Sequence, residues 1–424
     1  MSRLLLITNR YPVDDDDPAS PFVPHFARAV AGQGVVVDVL TPSYREASRG
    51  RETSFDEQNS NVRIHRFVSG TTVPIGSWNY LDPRSWLRLR QFLINEREAG
   101  EQLCRENKYD HILALWALPS GAQALALSRR FGIGYSVWCL GSDIYIWAKR
   151  PFFGRKIARI LRGASHVFGD GEDICRRVHA WLGIKAAFLP SCRPMNWDDG
   201  GFERREIGPV ENPRFLCLGR VHAAKGVMEL LAAFDDVRRV LPGATLDYVG
   251  DGPLLGTLRA KIMALGLSGN VTVHGALHGR EVARFLHRAD RVVIPSRSDS
   301  IPLVFTEAVQ AGRPVIGTEV GDLGEFIRRY RVGHVTHSLS PGDLAFTMIR
   351  SAREPIFDPE GRAQIMALFD PARAATRFCG KILANRPSLT AKSPVKGPTD
   401  SPKLEYITAG SAIGESPSGK APGC

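Results

Sequence analysis

The sequence predicts an α/β protein of two doubly wound domains, each with its own parallel sheet, facing each other across a cleft. Three observations predict it. The chain has 424 residues, more than one hydrophobic core ordinarily serves. Short apolar runs alternate with helical stretches in two successive series. A polar, Gly-containing stretch, Asn196 to Asn212, separates the two series.

The first series opens with a strand, Leu4 to Thr8, and a long acidic loop, Asn9 to Pro21. A helix follows over Phe22 to Ala31, stopped by Gly32 and Gly34, and then a strand from Val35 to Leu40. A βαβ unit of this kind implies a right-handed crossover and a parallel sheet with helices on both faces. Further strands are expected at Asn61 to Phe67, His111 to Leu115, Gly134 to Cys139, His166 to Phe168 and Ala186 to Leu189. One intervening helix announces its start with Asp82 as N-cap and Pro83 at the first helical position. The second series begins at Pro213, with strands at Arg214 to Leu218, Thr245 to Val249, Asn270 to His274, Arg291 to Ile294 and Pro314 to Gly317. The resulting organisation is a first domain over 1–200, a linker over 201–212 and a second domain over 213–368. Residues 369–386 then carry a helix, Pro371 to Ala384, expected to cross back to the first domain. Residues 387–424, rich in Pro, Ser, Gly, Lys and Thr, read as a disordered tail.

Composition narrows the function classes. Apolar residues make up 43% and charged residues 23% of the chain, as in an ordinary soluble protein. Apolar runs such as Leu4 to Ile7 and Val35 to Val37 are strand length and far short of a membrane span. No signal-peptide pattern opens the chain, so a cytosolic location is expected. The seven cysteines show no C-x-x-C pair, which reads as reduced thiols filling core positions. The net charge of +11 fits nucleic acid, an anionic membrane surface or a phosphorylated small molecule. Basic and aromatic residues gather at Trp78, Tyr80, Arg84, Trp86, Arg88 and Arg90, and again over Arg150 to Arg162 with Phe152 and Phe153. They read either as solvated helix faces or as a peripheral dock on the inner face of an anionic membrane.

The densest chemical signal is Leu218-Gly219-Arg220-Val221-His222-Ala223-Ala224-Lys225-Gly226. A strand ends in glycine, two cations follow five residues apart, and a helix begins, so the cations converge where a phosphate would sit. Arg grips oxygens with two parallel bonds and Lys adds a compact charge. Gly250-Asp251-Gly252-Pro253 and Val273-His274-Gly275 mark the next two strand ends at the same sheet edge; the His274 and Gly275 backbone is placed to line a base pocket. The longest element runs from Pro295 to Ala308. A polar loop carries Asp299 and Ser300, Pro302 starts a helix, and the amides of Leu303 and Val304 lie at its positive end. Glu307 follows one turn inside. Two carboxylates beside a phosphate site make sense as acceptors for sugar and ribose hydroxyls.

The run from Leu218 to Ile327 resembles the donor domain of the family 4 retaining glycosyltransferases, which have the two-domain, Rossmann-like GT-B fold. The matching pieces are G-R-x4-K-G, V-G-D-G-P, V-x-x-H-G-x-L, P-S-x-x-D-S-x-P-x-V-x-x-E-A-x-x-A-G-x-P-V-I and G-x-x-x-E-x-I. Tyr11-Pro12, Leu118-Pro119-Ser120-Gly121 and Gly141-Ser142-Asp143 resemble the family's acceptor half. The resemblance implies that the first domain binds an acceptor hydroxyl, on a glycan, a lipid-linked sugar or a small molecule. It implies that the second binds a nucleotide-diphosphate sugar. Arg220 and Lys225 would then stabilise the leaving diphosphate, Glu307 would hold the ribose and Asp299 the donor sugar. Ser20, Gly141, Ser142 and Asp143 would lie on the acceptor side. No cofactor and no metal would be required.

The chain departs from the family pattern at three places. Asp299 stands where Glu is usual. Leu140, Leu113, Leu115 and Trp116 stand in first-domain loops that commonly carry histidine, while His25 falls on a helix and His111 begins a strand. Ala19-Ser20-Pro21 replaces a common Gly-Gly. Two alternatives to a hexosyltransferase follow: an inactive partner subunit that only binds the nucleotide sugar, or a sugar-nucleotide epimerase on the same fold. A nicotinamide dehydrogenase is disfavoured because no G-x-G-x-x-G follows a strand. Direct nucleic-acid binding has only the net charge behind it.

Overall fold

The computed structural model describes residues 2–14, 17, 20–44, 51–56, 58–75, 82–195 and 206–384. Trp78, Tyr80, Ala19, residues 196–205 and those from 385 onward, including the tail, lie outside the described residues.

The first half runs β1 (Ser2–Ile7), α1 (Phe22–Ala31), β2 (Val35–Ser43), β3 (Glu52–Asp56), β4 (Asn59–Val68), α2 (Pro83–Glu106), β5 (His111–Leu115), α3 (Ser120–Phe131) and β6 (Tyr135–Cys139). A π-helical turn (Asp143–Trp147), α4 (Pro151–Gly163), β7 (His166–Gly169), α5 (Glu172–Leu182) and β8 (Ala187–Phe188) complete it. Its sheet has the order β3-β4-β2-β1-β5-β6-β7-β8. All pairings are parallel except β3 with β4, a hairpin at the sheet edge.

The second half runs β9 (Arg214–Leu218), α6 (Val227–Val240), β10 (Thr245–Val249), α7 (Leu255–Ala264), β11 (Val271–Gly275), α8 (Gly279–Arg288), β12 (Arg291–Ile294) and α9 (Leu303–Gln310). It continues with β13 (Val315–Gly317), α10 (Leu323–Arg329), β14 (Gly333–Val335), α11 (Pro341–Arg353), α12 (Pro359–Leu368) and α13 (Pro371–Ala384). Its sheet is parallel throughout, in the order β11-β10-β9-β12-β13-β14.

Local chemistry explains the elements. In β1, Leu4 to Ile7 are wholly buried, as a central parallel strand covered on both faces requires. The Asp82 carboxylate accepts from Arg84 N at 2.9 Å and Pro83 pre-sets the first turn of α2. Two edge strands, β3 and β14, were not expected from the sequence. Apolar clusters cover the outer face of each sheet, and a third runs through both halves. In that third cluster Phe378 of α13 lies 5.5 Å from the rings of both Phe26 and Phe168, so the last helix packs on the first sheet's layer. Among the described residues no helix is long and apolar enough to cross a membrane.

One buried group gives a test of this packing. Glu96 of α2 is 1% exposed and neither of its oxygens has a hydrogen-bond partner. The Gln123 amide beside it donates instead to the Leu93 carbonyl, at 2.8 Å. Burial pushes the Glu96 carboxyl up from 4.5 to about 8. Its folded form therefore stays protonated where the unfolded chain ionises. The stability tied to this proton is full below the unfolded pKa and lost as pH rises through the folded one. Glu96→Gln is expected to raise the Tm by several degrees at pH 8.5 and to leave it nearly unchanged at pH 4.5. Equal shifts at both pH values would refute the assignment.

Candidate active site

In each sheet the strand order reverses once, between β1 and β5 in the first and between β9 and β12 in the second. Loops leaving the carboxyl ends of strands diverge at such a point and open a crevice. The second sheet's reversal is flanked by the two loops richest in chemistry: Gly219 to Gly226 after β9, and Pro295 to Pro302 after β12.

These two loops are tied together by backbone. Arg297 N donates to the Ala224 carbonyl at 2.8 Å. Gly226 has φ +64°, and a Cβ there would lie 1.9 Å from the Pro295 carbonyl oxygen. Only glycine permits that approach. The closure brings Lys225 Nζ to 2.9 and 2.7 Å from the two Asp299 oxygens. Gly219 and Arg220 stand exposed at the mouth of the same loop. Across it, α9 begins at Leu303 with Pro302 as N-cap and no side-chain cap. The Leu303 and Val304 amides are thus at an open helix N-terminus, the positive end of its dipole.

Glu307 is 4% exposed. The sequence offered no partner for it; the structure supplies one, since Arg193 Nη1 donates to Glu307 Oε1 at 2.9 Å. Burial raises the Glu307 pKa, and the Arg193 guanidinium opposes the rise. The segment carrying Arg193 is pinned to α9 twice more. Gln310 Nε2 donates to the Arg193 carbonyl and Gln310 Oε1 accepts from Met195 N, both at 2.9 Å. The stretch leading out of the first domain is therefore anchored to the helix that bears Glu307.

The remaining second-domain candidates fall in different environments. His274 Nε2 lies 2.6 Å from Asp247 Oδ1 and its ring packs 4.3 Å from Phe285, so the side chain is engaged within the domain. Gly275 accepts from Gly250 N at 2.7 Å, closing the neighbouring strand end. Ser300 is buried at the junction of the two halves: a Cβ on Gly171 would come within 2.4 Å of its Oγ, and one on Gly141 within 4.0 Å of its Cβ.

On the first-domain side, Gly141 adopts φ +113°, and Ser142 is exposed beside it. Asp143 is 1% exposed and its oxygens accept from the amides of Ala117, Gly141 and Ile144 at 3.1, 3.0 and 3.2 Å. It braces the loop after β6 against the loop after β5. Burial raises its pKa despite those three amides. Ser20 holds a left-handed φ of +54° just before α1, a conformation that costs a side-chain-bearing residue roughly 1 kcal/mol or more. It is the backbone shape a glycine takes freely. Trp116, in the loop at the first sheet's reversal, is also left-handed at φ +66°. His111 is buried, its Nε2 2.8 Å from Ser136 Oγ, and burial lowers its pKa to about 4.

Two buried carboxylates at the junction escaped the sequence reading. Asp170 accepts from Ser191 N at 2.7 Å; burial, with the neighbouring carboxylates Asp143 and Asp322, raises it to about 7. Asp322 receives Asp173 N at 2.8 Å and Arg176 Nη2 at 3.0 Å. Oxygens of Glu172, Asp322 and Glu325 lie within 4.8 Å of one another. Arg176 reaches all three and Arg329 reaches Glu172 and Glu325, so arginines meet this negative charge.

Comparisons with known proteins bear on the family and the fold. The family model described as glycosyl transferases group 1 matches residues 212–353, and the one described as glycosyl transferase 4-like domain matches residues 19–189. A GDP-mannose-dependent alpha-(1-6)-phosphatidylinositol monomannoside mannosyltransferase from Mycobacterium tuberculosis is 26% identical over 369 residues, covering 81% of this chain and 88% of the relative. A D-inositol 3-phosphate glycosyltransferase from Arthrobacter is 26% identical over 351 residues, covering 76% and 79%. Among solved structures, a sucrose-phosphate synthase from Thermosynechococcus elongatus superposes with a TM-score of 0.73 at 20% identity, over 91% of this chain and 98% of that one. The Anabaena protein Alr3699/HepE, solved in complex with UDP and glucose, gives 0.64 at 14% identity over 91% and 100%.

Proposed function

The chain belongs to the group 1, family 4 glycosyltransferases of GT-B fold, and from that we propose that it is a retaining hexosyltransferase moving a sugar from a nucleotide-diphosphate sugar to a hydroxyl acceptor. The observation that carries the reading is the pairing of Lys225 with Asp299 beside the open N-terminus of α9. Without donor, the two charges neutralise each other. An entering diphosphate offers Lys225 a stronger partner, and Lys225 leaving Asp299 frees that carboxylate to accept a sugar hydroxyl. The same exchange thus readies both groups.

Arg220, Lys225 and the amides of Leu303 and Val304 then face the oxygens on which charge builds as the sugar–phosphate bond breaks. Preorganised donors of this kind stabilise the transition state more than the ground state. The reading needs no metal, because these groups supply the positive charge. Glu307, held in place by its hydrogen bond from Arg193, accepts from the ribose hydroxyls. In a front-face departure the leaving phosphate oxygen takes the acceptor's proton, so the loops that lack histidine need no separate base. The acceptor enters from the Gly141–Ser142 side, where the first domain meets the Ser300 loop. The relatives named for mannose transfer to inositol lipids and for inositol phosphate support a polyol or lipid-linked acceptor and a role in glycoconjugate synthesis.

Thermal denaturation with uridine, guanosine and adenosine diphosphate sugars tests the donor reading. At one hundred times its dissociation constant, the true donor should add about 2.7 kcal/mol of stability. A Tm unmoved by every nucleotide sugar in the panel sinks it.

A further inference from the structure

Between Asp143 and Asp170, both buried, the chain carries six cations and no acidic residue. All six cations, Lys149, Arg150, Arg155, Lys156, Arg159 and Arg162, are exposed, and none forms an ion pair among the described residues. This contrasts with α5 and α10 nearby, where Arg176, Arg177, Arg328 and Arg329 all meet carboxylates.

Helix α4 explains the clustering. It buries Gly154, Ile157, Ala158, Ile160 and Leu161. That leaves Phe152, Arg155, Lys156 and Arg159 on the outward face, at the three- and four-residue spacings that make helix neighbours. Like charges at those spacings repel, so the arrangement costs stability unless a negative surface meets it. Apolar groups protrude among the cations: Phe152 is 73% exposed, Ile146 48% and Trp181 40%. They sit on a rigid base. The Phe152 and Trp147 rings pack on Phe153 at 5.4 and 5.0 Å, and the Arg150 guanidinium stacks 4.9 Å over Trp147. Trp181 abuts the first turn of α4, since a Cβ on Gly154 would meet its ring at 3.8 Å.

We propose that this face is the surface by which the protein docks on a bilayer rich in anionic lipid. Cations draw the face to the headgroups while Phe152, Ile146 and Trp181 enter the headgroup–acyl boundary. A nucleic-acid backbone would satisfy the charge but leave Ile146 and the outward Phe152 without an apolar partner. The π-helical turn bearing Ile146 starts two residues after Gly141, which faces the Ser300 loop. Docking here therefore brings the cleft mouth to the membrane surface and, resting on the transferase reading above, fits an acceptor carried by a lipid.

Co-sedimentation of the full chain with vesicles tests this directly. Phosphatidylcholine vesicles containing one-third phosphatidylglycerol should bind the protein, pure phosphatidylcholine should not, and raised salt should weaken binding. The triple variant R155E/K156E/R159E should lose binding by about tenfold or more, and F152S by severalfold at unchanged net charge. Failure to bind anionic vesicles, or undiminished binding by the triple variant, overturns the proposal. So does a single-stranded DNA oligonucleotide that binds as tightly as the vesicles and is indifferent to F152S. The nucleotide-sugar Tm shift, measured on the same variants, keeps the two readings apart. Docking without a donor shift refutes the transferase reading alone, and a donor shift without docking refutes the dock alone.

Discussion

Lys225→Ala is expected to lower donor-dependent release of nucleotide diphosphate by about 10²–10³-fold at saturating donor, the range seen when one preorganised charge-stabilising donor is removed. The fold should survive. Asp299 keeps 19% of its side-chain surface exposed and Lys225 32%, so water can solvate the carboxylate that loses its partner. The fall should appear mainly in kcat, because the charge on the leaving diphosphate exceeds that of the bound donor. Lys225→Arg keeps the cation but changes its reach, and should restore part of the rate. Turnover unchanged in Lys225→Ala would remove this residue from the chemistry. Wild-type protein that binds donor yet never releases nucleotide, over many acceptors, would favour the inactive-partner alternative.

The second large effect concerns stability. Arg193→Met leaves Glu307 buried without its cation, a loss that costs roughly 3–5 kcal/mol when a buried pair is broken from one side. The pH dependence identifies the cause. Burial already raises the Glu307 pKa and Arg193 holds it down; removing Arg193 lets it climb further. A carboxyl with a raised folded pKa contributes fully below its unfolded pKa and loses that contribution as pH rises. The variant should therefore be close to wild type in urea unfolding near pH 4.5 and far weaker at pH 8. Adding Glu307→Gln to it should recover most of the loss at pH 8. A deficit independent of pH, or one that Glu307→Gln does not repair, would mean that Arg193 acts through packing alone.

The difference between these two sites shows what sequence can reveal. Lys225 and Asp299 belong to loops with distinctive spacing next to apolar strands, and each strand beside them is buried enough to read from its residues. Arg193 lies 114 positions from Glu307 in a Ser-Cys-Arg-Pro stretch without periodicity. Nothing local marks it, because its meaning comes from how one domain's exit is laid on the other's helix. Asp170 and Asp322 were illegible for the same reason: each takes its character from burial at a junction the chain reaches from both halves. The edge strands failed differently. Four of the five residues of β3 are exposed and it has no apolar face, while β14 spans three residues. Parallel central strands announce themselves through burial on both sides; edge strands owe their existence to a neighbour's unpaired amides.

The packing of Phe378 between Phe26 and Phe168 means that the first domain contains the last of the described helices. A ribosome that has released residue 200 has not yet made everything this domain needs, so its apolar surface beside α1 stays open until α13 emerges. The same fact sets the breakpoints for chimeras. A second half exchanged between relatives should be cut at the linker and again near 368, so that residues 369–384 travel with the first half. A single crossover at the linker would graft a foreign helix onto Phe26 and Phe168.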